Sequence, residues 1–139
     1  MTRVRHALLA AVVVTGTSVW AQSVGDTETG LAAIYADSLN GHVTASGQFY
    51  DRTKLTAAHK RLPFGTMIKI TNHANGKSVI VRVNDRGPVQ VERILDLSPA
   101  AADRLGFVHG MRHVTLEVVG GWHEQTRQAT VEIERGPSR

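Results

Sequence analysis

The sequence predicts an all-β domain, a small barrel of about six short strands with one short helix. Several segments alternate apolar and polar residues with a period of two, which is typical of half-buried strands. An Asn75-Gly76 pair separates two such segments, and that pair is the strongest short hairpin signal. Glycines spread along the chain as turn residues account for the short spacing between elements.

The first predicted strand covers residues 31–36, which are mostly apolar. Residues 22–29 before it are polar and lack an apolar period, so we interpret them as a flexible lead-in. Residues 66–72 alternate apolar and polar, and residues 78–83 are rich in β-branched side chains. These last two segments form a hairpin around the Asn-Gly turn.

Residues 93–97 predict another short strand, and a helix follows it directly. Ser98 is a preferred N-cap, Pro99 suits the first helical position, and the helix over 100–105 should end at Gly106.

The last barrel strand is predicted at 114–119, where apolar and polar residues alternate again. A further strand is compatible with residues 129–133 in the polar C-terminal tail.

The N-terminus has the pattern of a secretory signal. Arg3 and Arg5 precede an apolar run at 7–14 that is too short to cross a bilayer, and cleavage is expected after Ala21. The expected organisation is a signal peptide, the lead-in, a barrel domain and a tail, at 1–21, 22–29, 30–120 and 121–139.

The chain has no cysteine, so neither disulfides nor lipidation of an N-terminal cysteine are available. We therefore expect a periplasmic or secreted protein without a membrane anchor once the signal is cleaved.

Composition disfavours several classes of function. The formal charge of +4 falls to +2 once Arg3 and Arg5 leave with the signal, and the basic residues are scattered among acids. This pattern disfavours nucleic-acid binding. His109 and His113 are four residues apart, but Gly110 argues against a helix that would align them as metal ligands. We expect no metal and no cofactor.

Asp85 lies where a buried strand ends and a Gly-Pro turn begins, a good place for a catalytic group on a rigid scaffold. Burial at the mouth of an apolar barrel would favour its protonated form and suit general acid chemistry. The alternative is that Asp85 caps the turn by accepting amide hydrogen bonds.

Four further residues are left open in the same way. His59 either holds or exchanges protons with a carboxylate, or is a structural histidine bonded to backbone. Phe49 and Tyr50 could offer a sugar-stacking face, although one of them should belong to the core. Asp96 lies in an apolar strand. It is either a structural carboxylate that is paired within the fold or a functional acid.

Four blocks in order resemble the rare lipoprotein A family of double-psi β-barrels. They are T-A-S-G-Q-x-Y-D at 44–51, L-T-A-A-H-K-x-L-P-x-G-T at 55–66, T-N-x-x-N-G-K-S-V-x-V-R-V-N-D-R-G-P at 71–88 and R-I-L-D-L-S-x-A-A-A-x-x-L-G at 93–106. The similarity covers residues 30–119, so it implies a six-stranded double-psi barrel for nearly the whole mature domain.

The family includes septal lytic transglycosylases that cleave peptidoglycan glycan strands stripped of stem peptides. The resemblance implies that an acid protonates the glycosidic oxygen, after which the same group helps the sugar's own C6 hydroxyl to close an anhydro ring. It implies Asp85 as this acid/base and His59 as its essential neighbour. Asp51 would be a further carboxylate of the active groove, and Asp96 is a secondary candidate by likeness to plant expansins and endoglucanases.

Substrate-binding roles are expected for Gln48, Tyr50, Asn84 and Arg86. Active members usually carry glutamate at the position of Gln48, whose neutral amide binds sugar hydroxyls but cannot titrate. The chain also has Ile34 where the family commonly has tryptophan, in Ile34-Tyr35-Ala36.

We therefore predict an endolytic lytic transglycosylase that acts as a monomer on peptidoglycan glycan strands. The competing hypothesis is a non-catalytic, expansin-like barrel that binds or loosens the wall, and an inhibitor of another wall enzyme is a third.

Overall fold

The computed structural model describes residues 23–121, which contain six strands, one α-helix and a short 3-10 turn at Asp37–Leu39. The bounds of the strands and the helix, in chain order, are β1 Thr27–Ile34, β2 Thr56–His59, β3 Met67–Asn72, β4 Ser78–Asp85, β5 Arg93–Leu97, α1 Pro99–Arg104 and β6 Arg112–Gly120.

The strands close into a barrel in the order β1-β5-β2-β4-β3-β6. Two neighbouring pairs, β1 with β5 and β2 with β4, are parallel, and the other four pairs are antiparallel. Among the six described strands, only β3 and β4 are both consecutive in the chain and adjacent in the barrel, so each of the other connections passes over one intervening strand. The closed, mainly β architecture with one short helix confirms the predicted fold class.

The predicted hairpin is confirmed as β3 and β4, with Thr71 opposite Ser78 at its closed end. Gly76 adopts a φ of 72°, a conformation that glycine reaches without steric cost. Strand β4 continues two residues beyond the predicted end at residue 83, so that Asn84 and Asp85 belong to the barrel wall.

The predicted helix is also confirmed, starting at Pro99 and ending at Arg104. The Ser98 hydroxyl accepts a hydrogen bond from the Ala101 amide, as expected of an N-cap. Gly106 follows the helix with a φ of 84°.

Strand β2 was not predicted. It has only four residues, two of them alanine, and therefore shows no apolar alternation. It nevertheless occupies a central place in the barrel, between β5 and β4. Ala57 and Ala58 pair with β4 on one side and β5 on the other. Their small side chains leave room for the larger aliphatic side chains of these two strands.

The prediction of a flexible lead-in over 22–29 is wrong for its last three residues, because β1 begins at Thr27. The Thr27–Thr29 segment pairs with β6 through its backbone. Its side chains are polar, and Glu28 faces a buried histidine instead of the apolar core, so no apolar period reveals the strand. The strand ends at Ile34, two residues before the predicted end.

The barrel interior is filled by aliphatic side chains from every strand, with α1 and the loop after it closing one side. The buried set that lies in mutual contact is Ala32, Ala57, Leu62, Ile68, Ile70, Val79, Val81, Val83, Ile94, Leu95, Leu97, Ala101, Ala102, Leu105, Phe107, Val114, Leu116 and Val118. Alternate residues of β3, β4 and β6 supply eight of these eighteen residues, as the period of two predicted.

The expected signal peptide and nearly all of the expected tail, including residues 129–133, lie outside the described residues. Across residues 23–121, no helix is long and apolar enough to cross a membrane.

Candidate active site

Asp85, the last residue of β4, is 8% exposed and accepts three hydrogen bonds. The backbone amides of Ala45 and Arg86 both donate to Oδ1, at 2.9 Å and 2.8 Å. The Tyr35 hydroxyl donates to Oδ2. The carboxylate is thus fixed in one orientation by three different segments of the chain.

A bulge in the pairing of β2 with β4 sets the position of this carboxylate. Ala57 pairs with Val83, but the next residue, Ala58, pairs with Asp85, so the register shifts between them. Bulges re-aim side chains and often occur next to active sites. Here the extra residue is Asn84, which is buried.

A flap formed by residues 42–50 lies beside Asp85 and supplies the Ala45 amide. Val43 and Phe49 form an isolated antiparallel bridge, and the Tyr50 amide donates to the His42 carbonyl. Gly47 turns the flap tip with a φ of 83°. Phe49 is 75% exposed and is directly opposite Val43, so the two give the flap an apolar outer face.

Tyr50 is the buried member of the Phe49-Tyr50 pair, at 4% exposure, and so it does not offer a surface for stacking a sugar. Its ring packs against Tyr35 with the centroids 4.6 Å apart and the planes tilted by 34°. Burial raises the pKa of Tyr50 to about 12, and the Tyr50 hydroxyl has no hydrogen-bond partner among the described residues. This places Tyr50 as support for Tyr35, with Phe49 as the exposed aromatic.

His59, the last residue of β2, is only 1% exposed, and both ring nitrogens are engaged. Nδ1 accepts from the amides of Arg61 and Leu62, each at 3.0 Å. Because Nδ1 is an acceptor, the proton lies on Nε2, which donates to Glu28 Oε2 at 2.9 Å. Burial lowers the pKa of His59, against the opposing effect of the Glu28 carboxylate.

The expected direct contact between His59 and Asp85 is therefore not formed, since neither ring nitrogen is directed at the carboxylate. The two residues are joined through Arg86 instead. Its guanidinium Nη1 donates to the Leu62 carbonyl at 2.8 Å and to the His59 carbonyl at 3.4 Å, while its amide donates to Asp85.

The Arg86 guanidinium also lies over the Phe64 ring, 3.9 Å from the centroid. These contacts hold the loop after β2 against the end of β4.

Asp51 and Gln48 lie on the segment that ends the flap. Asp51 Oδ1 accepts from the Thr53 amide and hydroxyl, and these bonds lower the pKa of Asp51. That is the geometry of a turn cap, and the three hydrogen bonds that Asp85 accepts come from other residues. The Gln48 side chain is exposed to solvent, next to Phe49.

Asp96 lies near the same centre. Ala58 pairs with Asp85 on one side and with Asp96 on the other, so one alanine separates the two strand positions. Asp96 forms an ion pair with Arg93, which gives this half-buried carboxylate the partner that an apolar strand demands.

Across residues 23–121, no three His, Asp, Glu or Cys side chains are grouped so as to hold a metal ion.

Sequence reasoning missed three groups of the site: Tyr35, Glu28 and the Ala45 amide. Tyr35 lies in Ile34-Tyr35-Ala36, outside the four blocks, where the departure at Ile34 drew attention away from a tyrosine that matches the family pattern. Glu28 lies in a polar segment without any motif, and a backbone amide carries no signal in its residue type.

The whole described barrel matches a known family. A family model described as lytic transglycolase matches residues 27–118. The endolytic peptidoglycan transglycosylase RlpA of Vibrio cholerae is 50% identical over 96 residues, which cover 68% of this chain and 36% of that protein. The protein of the same name from Neisseria meningitidis is 51% identical over 94 residues, covering 67% and 39%. The chain thus spans less than two fifths of the length of these relatives.

Solved structures share the fold at low identity. The Streptomyces papain inhibitor superposes with a TM-score of 0.58 at 24% identity, over 70% of this chain and 97% of that one. An expansin from Clavibacter michiganensis gives a TM-score of 0.55 at 22% identity, over 68% and 51%. At such identities the likeness concerns the barrel alone. The family match over residues 27–118 and the closed six-stranded barrel together place the chain in the lytic transglycolase family of double-psi β-barrels.

Proposed function

We propose that this chain is an endolytic peptidoglycan lytic transglycosylase that leaves anhydro-N-acetylmuramic acid ends, acting on glycan stripped of stem peptides. The observation that carries the proposal is the fixed carboxylate of Asp85, held by three hydrogen bonds beside an apolar flap. The names of the relatives support the same reaction.

In this mechanism Asp85 acts twice. Protonated, it gives its proton to the glycosidic oxygen that follows N-acetylmuramic acid, and the bond from the anomeric carbon to that oxygen breaks with its electron pair on the oxygen. The carboxylate then accepts the proton of the C6 hydroxyl as that oxygen bonds to the anomeric carbon. One group in two protonation states is sufficient, so no second carboxylate is required as a nucleophile.

His59 supports this reaction from a distance. A neutral imidazole with both nitrogens engaged holds the loop after β2, and that loop holds Arg86, whose amide binds Asp85. We therefore assign His59 a positioning role in the proposed enzyme.

Substrate binding is assigned to the exposed groups around Asp85. Gln48 and Phe49 project from the flap, the first toward sugar hydroxyls and the second toward the apolar face of a pyranose ring. Arg86 and Asn84 contribute by shaping the wall of the site.

A second function, a non-catalytic barrel that binds or loosens the wall, is favoured by one observation. Gln48 is a neutral amide at a position where active members usually carry glutamate, so it can bind a sugar but cannot stabilise a developing cation by charge.

The products formed from glycan distinguish the catalytic function from the wall-binding function. The mature domain is incubated with denuded glycan strands in water enriched in heavy oxygen, and the new ends are analysed by mass spectrometry. The lytic route leaves anhydro ends without label, because the sugar's own hydroxyl is the nucleophile. Labelled reducing ends would indicate hydrolysis, and unchanged glycan that still binds the protein would establish the wall-binding function.

Export to the periplasm or beyond belongs to the same proposal, because the glycan lies outside the cytoplasm. The charged start, the apolar run at 7–14 and Ala21 support it. N-terminal sequencing of the protein recovered from the periplasm or medium should begin at Gln22, and an intact Met1 on protein confined to the cytoplasm would contradict it.

A further inference from the structure

The two oxygens of the Asp85 carboxylate have different partners. Oδ1 accepts from two backbone amides, those of Ala45 and Arg86. An amide N–H only donates, so a proton placed on Oδ1 would face two donors and displace them. Oδ2 accepts from the Tyr35 hydroxyl, which is able to donate and to accept.

We propose that Oδ2 of Asp85 carries the transferred proton, and that Tyr35 is a positioning residue whose hydroxyl turns from donor to acceptor each time this oxygen gains a proton. The proposal rests on the proposed function for the identity of the reaction. To that function it adds two points: the proton is carried by Oδ2 of Asp85, and Tyr35, which lies outside the sequence motifs, positions that oxygen.

Tyr35 is well held for such a role. Its amide donates to the Leu97 carbonyl at 2.8 Å, which ties the end of β1 to β5. Its ring packs on the buried Tyr50 ring, so the hydroxyl stays in place while its hydrogen rotates. The Tyr50 hydroxyl does not compete for Asp85, since it makes no hydrogen bond among the described residues.

The proton balance closes over one reaction. In the resting acid the Oδ2 proton is directed at the Tyr35 hydroxyl. When the glycosidic oxygen is in place, the Oδ2–H bond turns from Tyr35 to that oxygen and the proton is transferred, while the Tyr35 hydroxyl turns to donate to the new carboxylate. When the C6 hydroxyl attacks, its proton arrives at Oδ2 and the Tyr35 hydroxyl accepts again. Neither water nor the Tyr35 proton is consumed.

Tyr35→Phe tests the proposal, because it deletes the hydroxyl and keeps the ring. With denuded glycan as substrate, we expect kcat to fall roughly ten- to a hundredfold, as for the loss of a hydrogen bond to a charged group, with little change in KM. Thr29→Val is the control, since it removes an exposed hydroxyl from β1, the strand that leads to Tyr35, and it should retain the wild-type kcat. Equal kcat in Tyr35→Phe and wild type, or equal losses in both variants, would overturn the proposal.

A second readout is independent of turnover. The carbon-13 signal of the Asp85 carboxyl, recorded at neutral pH without substrate, should move in Tyr35→Phe and stay in place in Thr29→Val. If the wild-type protein makes no anhydro ends, the proposed function fails by itself and this signal alone decides the Tyr35 contact. An unmoved signal in Tyr35→Phe would refute that contact.

Discussion

His59 illustrates how a buried residue is defined by its partners. The sequence left two roles open for it, one that holds or exchanges protons with a carboxylate and one that is bonded to backbone. The structure combines parts of both, because Nδ1 accepts from two backbone amides and Nε2 holds the carboxylate of Glu28. In the proposed enzyme, His59 would act through the loop that it holds.

The lowered pKa of His59 predicts how stability depends on pH. Below the ordinary value of 6.5 the unfolded chain binds a proton that the folded chain still excludes. The contribution of neutral His59 to the free energy of unfolding is therefore complete above pH 6.5. It is lost as the pH falls through the lowered pKa of the folded state. Urea unfolding at several pH values should show this loss in the wild type and in the exposed-site control His42→Asn, and a smaller loss in His59→Asn. An equal dependence in all three proteins would show that His59 does not cause it.

Gln48 is the residue at which restoring the family's usual side chain should increase activity. In Gln48→Glu a carboxylate replaces a neutral amide beside the proposed glycan site, where it can stabilise positive charge developing on the sugar. We expect kcat for anhydro-end formation to rise about tenfold or more, by analogy with other electrostatic groups aimed at a transition state. The charge control is Gln90→Glu, at an exposed position of another loop. An unchanged kcat in Gln48→Glu would remove Gln48 from the site.

Among the elements, the flap at 42–50 links Asp85 to the surface of the molecule. Its inner side delivers the Ala45 amide to Asp85, and its outer side presents Val43 and Phe49. In the proposed function, the flat and exposed ring of Phe49 is suited to the apolar face of a sugar.

Phe49→Ala should therefore weaken substrate binding more than it slows the chemical step. A stacking contact of ordinary strength corresponds to a rise in KM of about three- to tenfold, with kcat nearly unchanged. Val108→Ala removes an equally exposed apolar side chain from the loop after α1 and should have no effect on KM. Equal KM values for Phe49→Ala and wild type would show that the flap does not bind the glycan.

The elements also differ in how far their sequence predicts them. The β3–β4 hairpin has alternating side chains and an Asn-Gly turn, and the helix has Ser98 and Pro99, so local physics is sufficient for both. Strand β2 is short and alanine-rich and exists because β4 and β5 supply partners on both sides. Such a strand has no local signature.

The same reasoning holds for the site. The burial of Asp85 at the end of a barrel strand was predictable, because the apolar run before it indicates a buried strand. The contacts of Asp85 with Tyr35 and Ala45 join residues 50 and 40 positions away along the chain, and only the barrel closure brings them together. The bulge at Asn84 likewise depends on the pairing of β4 with the distant strand β2.

At the scale of the whole molecule, the closed barrel makes the core and the site interdependent. Leu97 is fully buried, belongs to β5, and pairs with β1 and β2, the strands that carry Glu28 and His59. Leu97→Ala should reduce the free energy of unfolding by about 2–5 kcal/mol through the lost side chain and the cavity it leaves. Ile80→Ala, at a half-exposed position of β4, should cost clearly less, and denaturant unfolding measures both. Equal losses would contradict the assigned core.

The central claim is that Asp85 is the acid and base of a lytic transglycosylase, and Asp85→Asn tests it most directly. The amide has nearly the same shape but cannot give or take the proton, so anhydro-end formation should fall at least a hundredfold while circular dichroism and the unfolding transition still report a folded barrel. Asp103→Asn, an exposed carboxylate of α1, should keep wild-type activity. A folded Asp85→Asn protein that releases anhydro ends at the wild-type rate would contradict the account.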